Sequence, residues 1–490
     1  MNLKQLASIF SVISLLIVIV SGCGKKPEDN SGSSKTTGSV SLTESSISET
    51  NSSGTTGSQA SNSDTTSKSG NITTTTAYKG NQGETWDDVK IDKTAGKITI
   101  WWPDTTDAKS IVYQLSLDFK KVYPNQKVDI VAKGPDMYTD LKAALAAKTQ
   151  PDIVKLSHTY VAELARTNQV YELGQYGANS DKVKGKYIAS TWEPILYQNK
   201  PYALPFDANV ITFSYNKDIL KKAGVNPPNT WQELISAGKA INSVKDQIDQ
   251  FESAFTIPVA GDGIVGGWTA FTFCTYLWRL GGDVLSADGL KSTFNSDAGV
   301  QAMNMMLVET RANKLVKDDY YSTVEFLTGR VGFIEGGSWD IKDFVNPGRN
   351  ADYGISLMPE LKKGVPRYSG MGMYALSLVK NDKIKENAKY AYEFMRHLAT
   401  DEKYQVNYCS KLWQLPTLKG GYDYPEYKSD LWQACRKQLE LSKARPNSPA
   451  WAEIEKAIDG ACSLVIRGTP AKSALDSAAR VADKAIQKYV

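Results

Sequence analysis

The hydrophobic pattern divides the chain into unequal stretches. Residues 6–20 form an apolar run interrupted only by serines. From Lys25 to about Gln82, Ser, Thr, Gly and Asn dominate, and large apolar residues are almost absent before Tyr78. From about Gly96 the pattern becomes that of a folded α/β protein. Residues 97–102 read as a strand stopped by Pro103-Asp104. Apolar positions at helical spacing over 110–123 (Ile111, Leu115, Phe119, Val122) predict a helix, broken at Tyr123-Pro124-Asn125. A strand over 127–132, a helix over 137–148, a strand over 151–156 and a helix over 160–166 follow. This alternation predicts a mainly parallel sheet.

The stretch from Lys200 to Asp218 stands at the centre of the chain. Tyr202-Ala203-Leu204 is short and apolar and is closed by Pro205. Phe206-Asp207-Ala208-Asn209 is a polar break, and Val210 to Tyr215 is β-rich. A strand, a break and a second strand without room for a crossover helix can carry the chain from one sheet to another; hinges are built from such positions. One strand with a bulge at Asp207 fits the same residues, and the stretch alone leaves both open. Beyond it, Thr230 with Glu233 forms a capping box for a helix to about Ile241. Helices are expected over 268–280, 297–313, 384–398 and 400–408. Strands are expected over 330–334, 353–358 and, after Gly370-Met371-Gly372, over 373–379. Residues 427–490 read as all helical.

At 490 residues the chain is too long for one core, so two or more lobes are expected. The net charge of +4 is small and dispersed, which gives no reason to expect a nucleic-acid partner. The apolar run 6–20 falls short of the ~20 residues of a spanning helix and, following Lys4, reads as a secretory signal. The Ser/Thr-rich stretch cannot bury enough surface to offset chain entropy and reads as a flexible tether averaging about 45–50 Å end to end. Cys274, Cys409, Cys435 and Cys462 match no zinc or redox spacing. With His158 and His397 the only histidines, a histidine-rich metal site is excluded. No cofactor motif is present. Val20-Ser21-Gly22-Cys23 resembles the lipobox of bacterial lipoproteins, which implies cleavage after residue 22 and a diacylglycerol anchor on Cys23.

The ordered motifs resemble a known family, the extracellular solute-binding proteins of the maltose-binding type, receptors of sugar-uptake ABC transporters. The resemblance is carried by the strand 97–102, Phe119-Lys120-Lys121-Val122-Tyr123-Pro124 and Pro151-Asp152-Ile153-Val154. Leu204-Pro205 with Tyr215-Asn216-Lys217-Asp218, Thr230-Trp231-Gln232-Glu233 and Gly336-Gly337-Ser338-Trp339 continue it, and the closing amphipathic helix completes it. It spans about residues 96–490 and implies an α/β, two-lobed periplasmic-binding-protein-like fold with a hinge of crossing segments. The lobes implied are 96–206 with 370–415 and 207–369 with 416–490, after a signal peptide at 1–22 and a tether at 23–95. Further crossings are implied near Arg367–Gly370 and Pro416–Thr417. The implied partners are a carbohydrate ligand, transporter permease subunits and, through the anchor, the outer face of the cell membrane, for a chain acting as a monomer and not as an enzyme.

In open α/β sheets ligands sit beyond the carboxyl ends of strands. That rule gathers Trp102 and Asp104 after the first strand, Asp207 and Asn209 at the crossing, Trp339 and Asp340 after the strand 330–334, and Gly370. Trp268 joins them because it follows the Gly-rich segment 261–267, and Trp413 because it lies near a crossing. Trp451 is a weaker candidate. A pyranose presents apolar C–H faces and a rim of hydroxyls, so indoles and amide or carboxylate side chains together suit it. Several positions also have a structural reading: one of Trp101 and Trp102 belongs to the core, Trp268 could be core, Asp104 could N-cap the helix near Ser110, and Asp207 could cap the following turn. Two other functions fit the same residue types. A lipid-anchored glycoside hydrolase would need a carboxylate pair drawn from Asp104, Asp207, Glu335 and Asp340. A polyamine receptor of the same fold would use carboxylates with aromatic rings.

Overall fold

The computed structural model describes residues 97–103, 106–122, 124, 127–134, 137–258, 268–317, 323–346, 351–381 and 388–489. Cys23, the apolar run, the Ser/Thr-rich stretch, Asp104 and the Gly-rich segment before Trp268 lie outside the described residues. Twelve strands are present among them: β1 (Lys97–Trp102), β2 (Lys127–Ala132), β3 (Ile153–Ser157), β4 (Leu196–Tyr197), β5 (Lys200–Pro201), β6 (Leu204–Asn216), β7 (Ser253–Thr256), β8 (Val331–Gly337), β9 (Tyr353–Ser356), β10 (Ser369–Leu378), β11 (Leu415–Pro416) and β12 (Ser442–Ala444). Ten form one sheet with the order β2-β1-β3-β10-β6-β8-β7; β9 and β11 also pair with β6, and β12 with β10.

The sheet is mixed rather than mainly parallel. β1 pairs in parallel with β2 and β3, as the strand–helix alternation predicts. β10 runs antiparallel to β3 and to β6, and β6 runs antiparallel to β8 and β9. Short-range alternation could not reveal these pairings, because β10 reaches its neighbours from more than 150 residues away in the chain.

β6 settles the reading of the central stretch. It is one unbroken strand of 13 residues. The register against β10 slips between Asp207↔Tyr374 and Pro205↔Ala375, which leaves Phe206 as the extra residue of a bulge. The strand nevertheless passes from one core to another. Leu204, Phe206, Ala208 and Val210 belong to a first hydrophobic cluster, and Ile211 and Phe213 to a second. The first cluster joins Ile98 and Ile100 of β1 with Leu376 of β10 and with Phe394 and Tyr408 of two late helices. The second joins the Trp231–Ser243, Trp268–Arg279, Trp451–Ile466 and Ala471–Ile486 helices.

Local chemistry explains the element ends. Asn216 caps the Lys217–Ala223 helix by accepting from the Asp218 and Ile219 amides, and Gly224 closes it with φ 65°. Thr230 Oγ1 accepts the Glu233 amide at 3.2 Å, while the Glu233 carboxylate reaches back to the Asn229 amide at 2.7 Å. That is the expected capping box, displaced by one residue on the return bond. The helix expected over 297–313 forms as Asp297–Met303 and Thr310–Ala312, joined by a π-helical turn at Asn304–Glu309. The stretch read as all helical from 427 contains β12. Cys274, Cys409, Cys435 and Cys462 are buried free thiols. Among the described residues no helix is long and apolar enough to cross a membrane.

Candidate functional site

A cleft of about 430 Å³ opens where β6 and β10 leave the first cluster and the Trp268–Arg279 helix begins. That size lies within the roughly 300–1,000 Å³ of small-molecule sites. Trp268 is the first residue of its helix and lines the cleft together with Trp339. Their ring centroids are 5.3 Å apart at an interplanar angle of 69°. At this angle the edge of one indole meets the face of the other, and both side chains border the same volume.

The sequence around Trp339 makes this placement possible. A Cβ on Gly337 would sit 2.1 Å from the Trp339 ring, and one on Gly336 would sit 2.4 Å from an Asp340 carboxylate oxygen. The two glycines therefore let side chains from the following turn fold back over the strand end. Asp340 is consumed by that turn. It is buried and accepts the Gly337 amide at 2.9 Å. Burial pushes its carboxyl up to about 6. Asp340 is thus a structural residue and not one lining the cleft.

Asn209 does line the cleft, from the middle of β6, and Ser338 sits beside it: the Ser338 hydroxyl donates to the Asn209 side-chain Oδ1 at 3.5 Å and accepts the Val210 backbone amide at 3.3 Å. Gly372 lies on the neighbouring strand with nothing within 4 Å of where its Cβ would be, so the space above it belongs to the cleft. Tyr374 follows on β10. The polar rim is completed by Arg445 and Glu455, whose guanidinium nitrogen and carboxylate oxygen lie 3.4 Å apart. Glu455 also accepts from the Trp451 indole N–H at 3.2 Å, which places the weaker candidate Trp451 behind the rim.

The remaining expected site residues lie elsewhere. Trp102 has no solvent exposure and packs edge-on against Phe206 and Tyr408. The strand's alternation puts it, and not Trp101, deepest in the first core, which corrects the choice between them. Asp207 is also interior: its carboxylate is 2.8 Å from Lys155 Nζ, and both side chains are almost wholly buried. Gly370 serves packing, since a Cβ there would meet the Phe271 ring at 2.6 Å and Thr275 Oγ1 at 2.9 Å. Trp413 adopts φ 55° and stacks on Trp432 at 6.1 Å, away from the cleft lining. Glu335 pairs with Arg279 at 3.0 Å in the second core.

Sequence reasoning missed Tyr374, Arg445 and Glu455. The signal for Tyr374 was an aromatic two positions beyond Gly372 in a β-rich run. Arg445 and Glu455 come from the stretch read as purely helical, so nothing aimed them at a strand end. Among the described lining residues Glu455 is the sole carboxylate, and it is paired. A glycosidase pair at about 5–9.5 Å is therefore not assembled from them. Among the described residues no group of His, Cys, Asp and Glu is arranged to hold a metal ion.

The chain is similar over most of its length to known proteins. It is 21% identical over 371 residues to a maltotriose-binding protein of Pyrococcus abyssi, covering 74% of this chain and 77% of that one. It is 23% identical over 403 residues to a galactooligosaccharide-binding protein of Bacillus subtilis, covering 79% and 89%. Its fold matches the crystal structure of a cyclic α-maltosyl-1,6-maltose-binding protein of Arthrobacter globiformis with a TM-score of 0.71 at 20% identity, covering 80% of this chain and all of that one. The fold class expected from the sequence, a periplasmic-binding-protein-like α/β architecture, is the fold observed. The profile of the bacterial extracellular solute-binding proteins matches residues 102–405, and with that match over most of the folded chain, the protein belongs to this family of binding proteins.

Proposed function

We propose that the protein captures a carbohydrate, of oligosaccharide size, between its two cores and delivers it intact to the permease of an ABC importer. The observation that carries this reading is the cleft wall of two indoles inclined at 69° to each other beside a charge-balanced polar rim. Indole faces cover the apolar C–H surfaces of a pyranose, while Asn209, Arg445 and Glu455 meet its hydroxyls. A site built around specific hydroxyls rejects ligands that lack them. The names of the relatives, which bind maltotriose, galactooligosaccharides and a cyclic maltooligosaccharide, support the ligand class. Two of the candidate carboxylates, Asp207 and Asp340, are turned into the interior, which disfavours a polyamine.

The same reading assigns hinge motion to the segments near Asp207, Arg367–Gly370 and Pro416–Thr417, and makes the closed form the one the permease reads. It places a lipid anchor on Cys23, followed by the Ser/Thr-rich tether, on the outer face of the cell membrane, with the chain acting as a monomer.

The test is a thermal-shift and tryptophan-fluorescence panel of mono- and oligosaccharides, with spermidine and phosphate included. A saturable rise in melting temperature with an oligosaccharide recovered uncut by mass spectrometry is the expected result. Gly372→Phe should abolish that response while leaving the melting temperature without ligand unchanged, because the cleft and not the protein interior receives the ring. A response to spermidine alone, or cleavage of the sugar, would overturn the proposal.

A further inference from the structure

The cleft wall contributed by the first core carries an exposed ring whose surroundings are unusual. Tyr374 stands in the middle of β10 between buried Met373 and Ala375, yet it is 39% exposed and lines the cleft. Trp268 and Trp339, packed on the second cluster, line the same cleft from the other core. Beneath Tyr374 lies a buried cation. Lys155 Nζ is 4.8 Å from the Tyr374 ring centroid. It is 2.8 Å from Asp207 Oδ2 and donates to the Tyr408 hydroxyl. Trp102 and Phe206 hold the same ammonium at 5.1 and 5.8 Å from their centroids.

The strand register shows why these groups converge. Tyr374 is the β-partner of Ser157 on β3 and of Asp207 on β6, so the Lys155–Asp207 pair, which links those two flanking strands, brings the ammonium to the ring. The Phe206 bulge falls at the Tyr374–Ala375 step. Bulges re-aim side chains. A buried ion pair is weak as a source of stability, because desolvation offsets its attraction; orientation of a neighbouring group is a role that the geometry here supplies.

We propose that Tyr374 is a ligand-contacting ring of the cleft and that the buried Lys155–Asp207 pair is a positioning pair that fixes its plane. This rests on the carbohydrate reading above. With indoles on one side and Tyr374 on the other, both apolar faces of a sugar ring are covered. The cation lies behind the tyrosine ring, where it orients the ring without competing for the ligand's hydroxyls.

Calorimetric titration of the full chain with maltotriose and with a galactooligosaccharide tests this. Tyr374→Ala should weaken the sugar bound by the wild type by about tenfold or more, and Tyr374→Phe should stay within about threefold of the wild type, since the ring and not its hydroxyl makes the contact. Lys155→Met alone strands a buried carboxylate and can unfold the protein, so the pair is replaced together as Lys155→Met with Asp207→Leu. That double variant should bind about fivefold more weakly than the wild type, yet cause no further loss when combined with Tyr374→Ala. Unchanged binding by Tyr374→Ala overturns the ring's role. A loss that adds fully to that of Tyr374→Ala overturns the positioning role, because a merely structural pair would act independently. A wild type that binds neither these sugars nor any of the panel overturns the carbohydrate reading, and this inference with it.

Discussion

His158 sits fully enclosed just after β3, where its Nδ1–H donates to the Met373 carbonyl of β10 at 3.1 Å. Burial, with Arg445 nearby, pulls its imidazole down to about 3. Between pH ~6.5 and about 3 the unfolded chain therefore binds a proton that the folded chain refuses, and stability falls as the pH falls through that window. For one such group the loss from pH 7 to pH 5 is about 2 kcal/mol. His158→Asn, which keeps a donor for Met373, should reduce the drop in unfolding free energy between those pH values by about that amount, measured by urea titration at each pH. At this scale the sequence was a partial guide. Residue type with a strand end, the Gly-rich segment or the crossing pointed to Trp339, Trp268 and Asn209, and all three line the cleft. They pointed also to Asp207 and Asp340, whose carboxylates turn inward, because a carboxylate in such a place can turn inward as readily as outward. The partner that decides, Lys155 for one and the Gly337 amide for the other, is not marked in the sequence.

β10 shows how one strand divides its residues between packing and lining the cleft. Gly370 at its start lies under the Phe271 ring of the Trp268–Arg279 helix, and Gly372 two positions on opens to the cleft. Gly370→Val would force its branched side chain into that ring. Overpacking of this kind costs about 1–3 kcal/mol, to be read as a lower urea midpoint with an unchanged slope. Elements with strong periodicity or clear caps were legible: β1, β2, the Met137–Ala147 helix and the Trp231–Ser243 helix fall within a few residues of their expected bounds. The short strands β4, β5, β7, β11 and β12 were not. Each is two to four residues long and is held by its neighbour's edge, so no period of its own can announce it.

At the scale of the molecule, the shared strand β6 and its neighbour β10 join two cores with the cleft between them. If the cores close on a sugar, small-angle X-ray scattering should give a smaller radius of gyration with saturating maltotriose than without it; superimposable curves would count against hinge closure. The order of motifs revealed this architecture because each weak signal was constrained by the next. The antiparallel pairings stayed hidden because they join distant segments. The same interleaving bears on how the protein is made. The first cluster draws on residues from Ile98 to Leu439 and the second on residues from Ile211 to Ile486. A ribosome emitting this chain in order releases no segment that can finish a core until nearly all of it has been synthesised, and closing such distant contacts is slow. The nascent protein should therefore stay open to chaperones, or to a translocation channel that takes unfolded chains, until synthesis is almost over.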